Sequence, residues 1–278
     1  MLELLINTYP QTTVNFEDLE DILISYEPFI LRVLKEGVKF EFLVRIKESS
    51  KKLLVFGSGA YNPEKMKPPV FQRHTWINKF EESMILYNDP TLYLGPLSLG
   101  WGHGTTNRFY LEEIAEILQI IMKRILVNAN QVIFYGSSGG GFMSMVLAGF
   151  IQGSTALVNN PQTIVTNYYQ SHVNKLFQHS HPELTIEEIN RKYNHRLNAI
   201  SLFKKFNYVP KITYIQNVAC EHDMTNHVLP FIEGLKEFNK ITHFHNVQFE
   251  FYYDDEKGHN PLELEETLYY INKLIKNM

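Results

Sequence analysis

The chain holds one cysteine, Cys220, in 278 residues. That excludes an internal disulfide and any zinc site built on several thiolates, and it fits a reducing compartment, so the cytoplasm is the expected location. Positive charge is not in excess either. With 26 Lys and Arg against 30 Asp and Glu, the formal charge of −4 leaves nothing to neutralise a phosphate backbone, and no nucleic-acid partner is expected. Long apolar runs are missing: Ile114 to Val127 is broken by Glu116, Lys123 and Arg124, so no membrane span is expected. Met1 to Pro10 carries Glu3 and no basic segment, so no signal peptide is expected there. At 44% hydrophobic and 20% charged, the composition is too apolar for disorder, and one domain over 1–278 is expected.

Short strands are expected at Ile22 to Ser25, Phe29 to Leu34 and Val38 to Ile46, the last with Phe40, Phe42, Val44 and Ile46 on one face and mostly charges opposite. That pattern predicts an antiparallel, half-buried edge. Leu53-Leu54-Val55-Phe56 is continuously apolar and stops at Gly57-Ser58-Gly59-Ala60, as a strand buried on both faces would. A further strand is expected at Thr91 to Leu94. Beyond Gly100-Trp101-Gly102-His103-Gly104, strands (Gln131 to Tyr135, Thr155 to Val158, Ile212 to Ile215, Val247 to Tyr253) alternate with helices (about Phe109 to Leu126, Gly139 to Gly153, His227 to Phe238, Pro261 to Met278). This order predicts an α/β fold with a mostly parallel sheet and helices on both faces. The polar, His/Asn/Tyr-rich stretch at about 160–208 reads as a helical cap inserted between strands.

The most specific local signal is Tyr135-Gly136-Ser137-Ser138-Gly139-Gly140, a strand running through G-x-S-x-G into a helix. A serine at so sharp a turn is strained, and glycines two before and two after leave room where a Cβ would collide. Ser138 is therefore the candidate nucleophile, and the Gly139 amide, at the helix start, is a candidate oxyanion donor. No lysine follows as in a Walker-type loop, and the G-x-G-x-x-G spacing of a dinucleotide site is absent. In this strand-turn-helix context, the acid and then the base follow the serine in the chain. His259, in the loop Asp254 to Pro261 before the terminal helix, is the candidate base. Asp223 is the preferred acid and Glu221 its competitor, both just after the strand at Ile212 to Ile215. A second oxyanion donor is expected from Ser58 or Gly59, in the loop after the early central strand.

With these residues in place the sequence resembles the α/β-hydrolase fold. More narrowly, it resembles the bacterial capsular and surface-polysaccharide O-acetyltransferases, and more distantly the accessory secretion proteins that acetylate adhesin glycans. The features that carry this resemblance are Gly136-Ser137-Ser138, Val158-Asn159-Asn160-Pro161-Gln162, Asp223 four before His227, and Gly258-His259-Asn260. The resemblance implies transfer of acetyl from acetyl-CoA through acetyl-Ser138 to a polysaccharide or oligosaccharide hydroxyl, with His259 as base and Asp223 orienting it. It also makes a capsule-synthesis complex at the inner membrane face a plausible setting. A carboxylesterase or deacetylase with the same three residues, and a non-catalytic subunit of a glycan synthesis or secretion complex, stay open.

Sugar recognition uses aromatic faces and amides, and Trp101, His103 and Asn160 are the expected contacts, with Trp76, Asn159, Gln162, Tyr168 and Tyr169 also in loops or the cap. No metal is expected: His179/His181 and His243/His245 lack a third ligand at sensible spacing, and Glu221-His222-Asp223 is better used as the acid segment. Lys65, Lys67 and Arg73 form a modest basic loop able to meet coenzyme A phosphates.

Overall fold

The computed structural model describes residues 8–22, 24–238 and 246–278. Among them run β1 (Gln11–Asn15), β2 (Phe29–Lys35), β3 (Val38–Arg45), β4 (Leu53–Phe56), β5 (Ser83–Tyr87), α1 (Tyr110–Arg124), β6 (Val132–Ser138), α2 (Gly139–Phe150) and β7 (Thr155–Pro161). Then follow α3 (Gln170–Ser180), α4 (Ile186–Leu197), α5 (Ala199–Phe206), β8 (Lys211–Asn217), α6 (Leu229–Lys236), β9 (Val247–Tyr252) and α7 (Leu264–Ile275). The described strands form one sheet in the order β1-β2-β3-β5-β4-β6-β7-β8-β9. Only the β2–β3 and β3–β5 pairs are antiparallel. This is the α/β-hydrolase fold.

Period-two alternation sends successive apolar side chains to opposite faces of a strand, so a continuous apolar run needs cover on both. In β4, Leu53 and Val55 join one core with α1, α2 and α5, whereas Leu54 and Phe56 join a second with Ile77, Phe80 and α7. In β6, Val132 and Phe134 split from Ile133 and Tyr135 in the same way. A doubly covered central sheet holds the ends of β4, β6, β7 and β8 along one edge, where ligands of open α/β sheets bind.

Three local expectations fail, each for a physical reason. The described residues at 22–25 form no strand; the first strand is Gln11–Asn15, and Ile22 follows a 3₁₀ turn, Phe16–Asp21, into the core. Residues 90–93 are a 3₁₀ turn and not a strand, because Pro90 has no N–H for a ladder and the Asp89 carboxylate accepts from the Thr91 amide at 2.8 Å. The strand lies instead at Ser83–Tyr87, buried on both faces between β3 and β4. Finally, β3 is covered on both faces. Glu41 is buried with Arg32 Nε at 3.1 Å, Lys39 Nζ at 3.2 Å and the Tyr93 hydroxyl donating to it, and Arg45 donates to the carbonyls of Phe80 (3.0 Å) and Glu82 (2.6 Å). Charges survive burial there because each has partners.

Residues 162–210, between β7 and β8, carry a 3₁₀ turn and the helices α3, α4 and α5. α3 is tied to the glycine-rich loop by a histidine pair: His103 Nε2 lies 2.7 Å from His181 Nε2, so one ring donates and the other accepts. Tyr193 stacks on His181 at 4.4 Å between centroids, and the Thr106 hydroxyl lies 3.0 Å from His181 Nδ1. Burial, reinforced by His181 and Arg196, pushes His103 far below the ordinary histidine value. Burial, then Arg196 and Lys192, lowers His181 to about 4; burial, then Lys205 and Arg196, does the same to His195. No helix among the described residues is long and apolar enough to cross a membrane.

These histidines fix the sign of an acid response. Their folded values lie below the unfolded value of about 6.5, so the stability they allow is present above that pH and is lost as pH falls toward 4. The melting temperature, measured from pH 7.5 to 4.5, is expected to fall across this window. His181→Gln is expected to flatten the fall, while an unchanged slope would remove the pair from the account.

Candidate active site

β6 ends at Ser138, whose backbone adopts φ 55°, ψ −127°, before α2 begins at Gly139. A positive φ in a non-glycine residue is strained and is held only by its surroundings. Here the surroundings are glycines: a Cβ at Gly136 would lie 2.2 Å from the Gly140 carbonyl oxygen, and one at Gly140 would lie 2.9 Å from that of Gly57. The turn thus closes on itself and on the end of β4, with Ser138 on the cavity side.

His259 Nε2 lies 2.9 Å from Ser138 Oγ, and His259 Nδ1 lies 2.6 Å from Asp223 Oδ2. Asp223 is buried in the short helical turn Glu221–Asp223 after β8, whereas Glu221 faces solvent. Burial pulls the Asp223 carboxyl upward, but the hydrogen bond and charge of His259 and the Cys220 thiol outweigh it, and the net shift is downward. Cys220, Asp223 and His259 also offer metal-ligand atoms within 4.8 Å of one another. The His259–Asp223 separation is nevertheless that of a hydrogen bond, since tetrahedral zinc ligands stand about 3.3 Å apart. Among the described residues, the other histidines weighed as ligands lie apart from one another. His179 packs over Gly95 while His181 meets His103, and His222 stacks on Tyr169 at 4.7 Å. His243 and His245 lie outside the described residues.

The loop that carries His259 is held by side-chain amides from the strand ends. Asn217 Nδ2 donates to the carbonyls of Asp254 (2.6 Å) and Gly258 (2.9 Å), and its Oδ1 accepts from the Asp254 amide at 3.0 Å. Asn160 Nδ2 donates to the Asn260 carbonyl at 3.2 Å while its Oδ1 accepts from the Asn217 amide at 2.8 Å. Asn159 Oδ1 accepts from the Leu262 amide at 2.8 Å. Gln162 Nε2 donates to Ser138 Oγ at 3.1 Å, and its own oxygen accepts from Trp101 Nε1.

Three expected sugar contacts are thereby corrected. Trp101, His103 and Asn160 are each 0% exposed, so none meets a ligand; Trp101 positions Gln162, His103 pairs with His181, and Asn160 anchors the His259 loop. The cavity at Ser138, about 390 Å³, is bordered instead by Gly59, Gln72, Arg73, Trp76, Tyr168 and the 259–263 loop. Trp76 and Tyr168 supply its aromatic walls.

Of the two candidate donors after β4, Gly59 borders the cavity, and a Cβ there would lie 3.8 Å from that of Ser138. Ser58 is buried, its hydroxyl donating to the Val70 carbonyl at 3.1 Å and accepting from the Gln72 amide at 3.1 Å. The Gly59 amide donates to Gln72 Oε1 at 2.8 Å, and Gln72 Nε2 donates to the Ala60 carbonyl at 2.8 Å. The Gly139 amide opens α2, where the first N–H groups have no acceptor within the helix. Sequence reasoning missed Gln72, in a loop, and Asn217, at the end of β8, because a lone Gln or Asn carries no spacing signal.

No family model and no curated protein matches the chain. Solved structures do. The capsule O-acetyltransferase of Neisseria meningitidis serogroup A is similar with a TM-score of 0.62 at 14% identity, over 87% of this chain and 95% of that one, and a mutant of it has been seen in complex with CoA. A Glycosylation Associate Protein complex from Streptococcus agalactiae gives 0.62 at 13% identity over 87% of this chain and 45% of that chain. An S-formylglutathione hydrolase from Agrobacterium tumefaciens gives 0.56 at 12% identity over 92% and 94%. At such identities the likeness shows the fold, which an acetyltransferase and a hydrolase share.

Two substitutions test the scaffold. Gly136→Ala is expected to destabilise by about 3 kcal/mol in chemical denaturation, since its methyl group has only backbone to displace. Asn217→Ala, which strips three bonds from the His259 loop, is expected to cost roughly 2 kcal/mol and to slow fluorophosphonate labelling of Ser138; unchanged labelling would show that the loop holds itself.

Proposed function

We propose that the protein is a serine-dependent O-acetyltransferase, moving acetyl from acetyl-CoA through acetyl-Ser138 to a sugar hydroxyl of a surface polysaccharide or its precursor. The single observation that carries this reading is the run Ser138 Oγ, His259 Nε2, His259 Nδ1 and Asp223 Oδ2, with contacts of 2.9 and 2.6 Å, opening on a cavity of about 390 Å³. The choice of acetyl donor and glycan acceptor is supported by the similar Neisseria capsule enzyme and its CoA complex.

In this reading His259 Nε2 takes the Ser138 proton as Oγ attacks the thioester carbon, and Asp223, ionised because His259 and Cys220 hold its carboxyl low, fixes the ring and balances the imidazolium. The oxyanion is met by the amides of Gly139 and Gly59, the latter once Gln72 Oε1 yields its place. The carbon–sulfur bond breaks and the proton passes from His259 to the departing thiolate. A sugar hydroxyl then gives its proton to His259 as its oxygen attacks the acetyl carbon, the bond from that carbon to Ser138 Oγ breaks, and His259 returns the proton to Oγ. Gln162, donating to Ser138 Oγ, keeps the nucleophile aimed between turns of the cycle. Trp76 and Tyr168 offer the faces on which a sugar ring would stack, and exclusion of water in its favour separates transfer from hydrolysis. We place the reaction in the cytoplasm, before glycan export.

A second reading, an esterase with the same residues, is favoured by the hydrolase among the similar structures. Intact-protein mass after exposure to acetyl-CoA decides between them. Wild type is expected to gain a transient acetyl group that a glycan clears faster than water, and Ser138→Ala to gain none. Asp223→Asn is expected to slow acetylation by about 10³–10⁴-fold. Acylation by nitrophenyl acetate but not by acetyl-CoA would install the esterase; silence toward every donor and a fluorophosphonate would leave a non-catalytic subunit.

A further inference from the structure

Arg73 stands in the cavity beside Ser138, and the reaction steps above give it nothing to do. Its backbone is left-handed at φ 64°, strained for a side-chain-bearing residue, and it opens the 3₁₀ turn His74–Trp76. The half-buried guanidinium lies over the rings of Tyr135 (5.2 Å) and Trp76 (5.4 Å), and Nη2 donates to Ser137 Oγ at 2.8 Å. Ser137 is the neighbour of Ser138 in the chain, and both line the cavity.

Among the described residues no carboxylate pairs with Arg73. The one acid among the residues bordering the cavity, Glu263, precedes α7, where its backbone amide donates to Glu266 Oε2 at 2.8 Å, and its carboxylate makes no ion pair with Arg73. Lys65 and Lys67, the other cations of the basic loop, are exposed and do not border the cavity. In a protein of net charge −4, the site therefore presents a single oriented cation. Two aromatic faces and a hydroxyl hold that guanidinium in place and leave most of its five N–H donors for a ligand. A planar fork of this kind matches the oxygens of a phosphate or a carboxylate.

We infer that Arg73 is an anion-recognition residue, and that the substrate which places its reacting group at Ser138 carries a phosphate or carboxylate oxygen within reach of this guanidinium. The inference deepens the acetyltransferase reading by naming the charge of a substrate. Both sides of the reaction offer that chemistry, the donor through the phosphates of coenzyme A and the acceptor through an acidic or phosphorylated sugar.

Binding to the full chain, measured by titration calorimetry at low salt, tests it without relying on turnover. The probes are coenzyme A against phosphate-free pantetheine for the donor side, and N-acetylglucosamine 1-phosphate and glucuronate against N-acetylglucosamine for the acceptor side. At least one anionic probe is expected to bind wild type and Ser138→Ala alike, to weaken by about tenfold or more in Arg73→Gln, and to recover in part in Arg73→Lys. Its neutral counterpart should not distinguish the variants. Coenzyme A as the responsive probe assigns the anion to the donor, and a sugar acid or phosphate assigns it to the acceptor. If no anionic probe binds, or Arg73→Gln weakens neutral and anionic probes equally, the inference falls. Should Arg73→Gln melt well below wild type, Arg73→Lys and competition by inorganic phosphate on wild type carry the same decision. Fluorophosphonate silence at Ser138 with Arg73-dependent anion binding intact would sink the serine reading and leave this one standing.

Discussion

The reversal of the chain at Ser138 is the constraint on which the site depends. A backbone at φ 55° persists there because β6, the first turn of α2 and the end of β4 meet too closely for any Cβ at Gly136 or Gly140. Sheet and helix meet there, so the strain is held by the two apolar cores that cover β4 and β6 on both faces. The same reversal leaves Ser138 bordering the cavity and starts α2 at the very next residue, Gly139, whose amide has no acceptor within the helix.

Around this rigid turn the remaining chemistry is placed by side-chain amides instead of by regular structure. His259 sits in a loop, and a loop alone does not hold an imidazole to a fraction of an ångström. Asn217 and Asn160, both fully buried at the ends of neighbouring parallel strands, lend donors and acceptors to the backbone of 254–260. Gln162 and Trp101 do the same for the serine itself. Buried amides with most of their bonding capacity used are costly to lose and therefore specify one arrangement. A similar economy governs Gln72, whose oxygen accepts from the Gly59 amide and whose Nε2 donates to the Ala60 carbonyl, bracing the loop after β4 from both sides.

Legibility followed the range of the interaction. The strand-turn-helix at Ser138 was visible because its glycines and apolar strand are local, and β4 because four consecutive apolar residues leave few alternatives. β5 was missed, since Ser83 to Tyr87 looks like any short apolar run until β3 and β4 flank it. The charges of β3 read as a solvated face; Glu41 and Arg45 are buried only because Arg32, Lys39 and Tyr93, and two backbone carbonyls, arrive from elsewhere in the chain. Trp101, His103 and Asn160 have the right chemistry for a sugar, but residue type says nothing about which side of a loop faces inward.

What the sequence by itself determined was the order of chemistry: a serine on a glycine-flanked turn, then acids after a strand, then a histidine before the last helix, all within an alternating α/β pattern. Those are properties of neighbours in the chain, governed by backbone sterics and periodicity. Only the tertiary structure decided between Asp223 and Glu221 for contact with His259, by burying one and leaving the other in solvent. It likewise moved the aromatic walls of the cavity from Trp101 to Trp76 and Tyr168, and separated Arg73 from the lysines beside it in sequence. Those outcomes rest on contacts between segments tens to more than a hundred residues apart, and burial and distance across such separations exist only once the sheet has assembled.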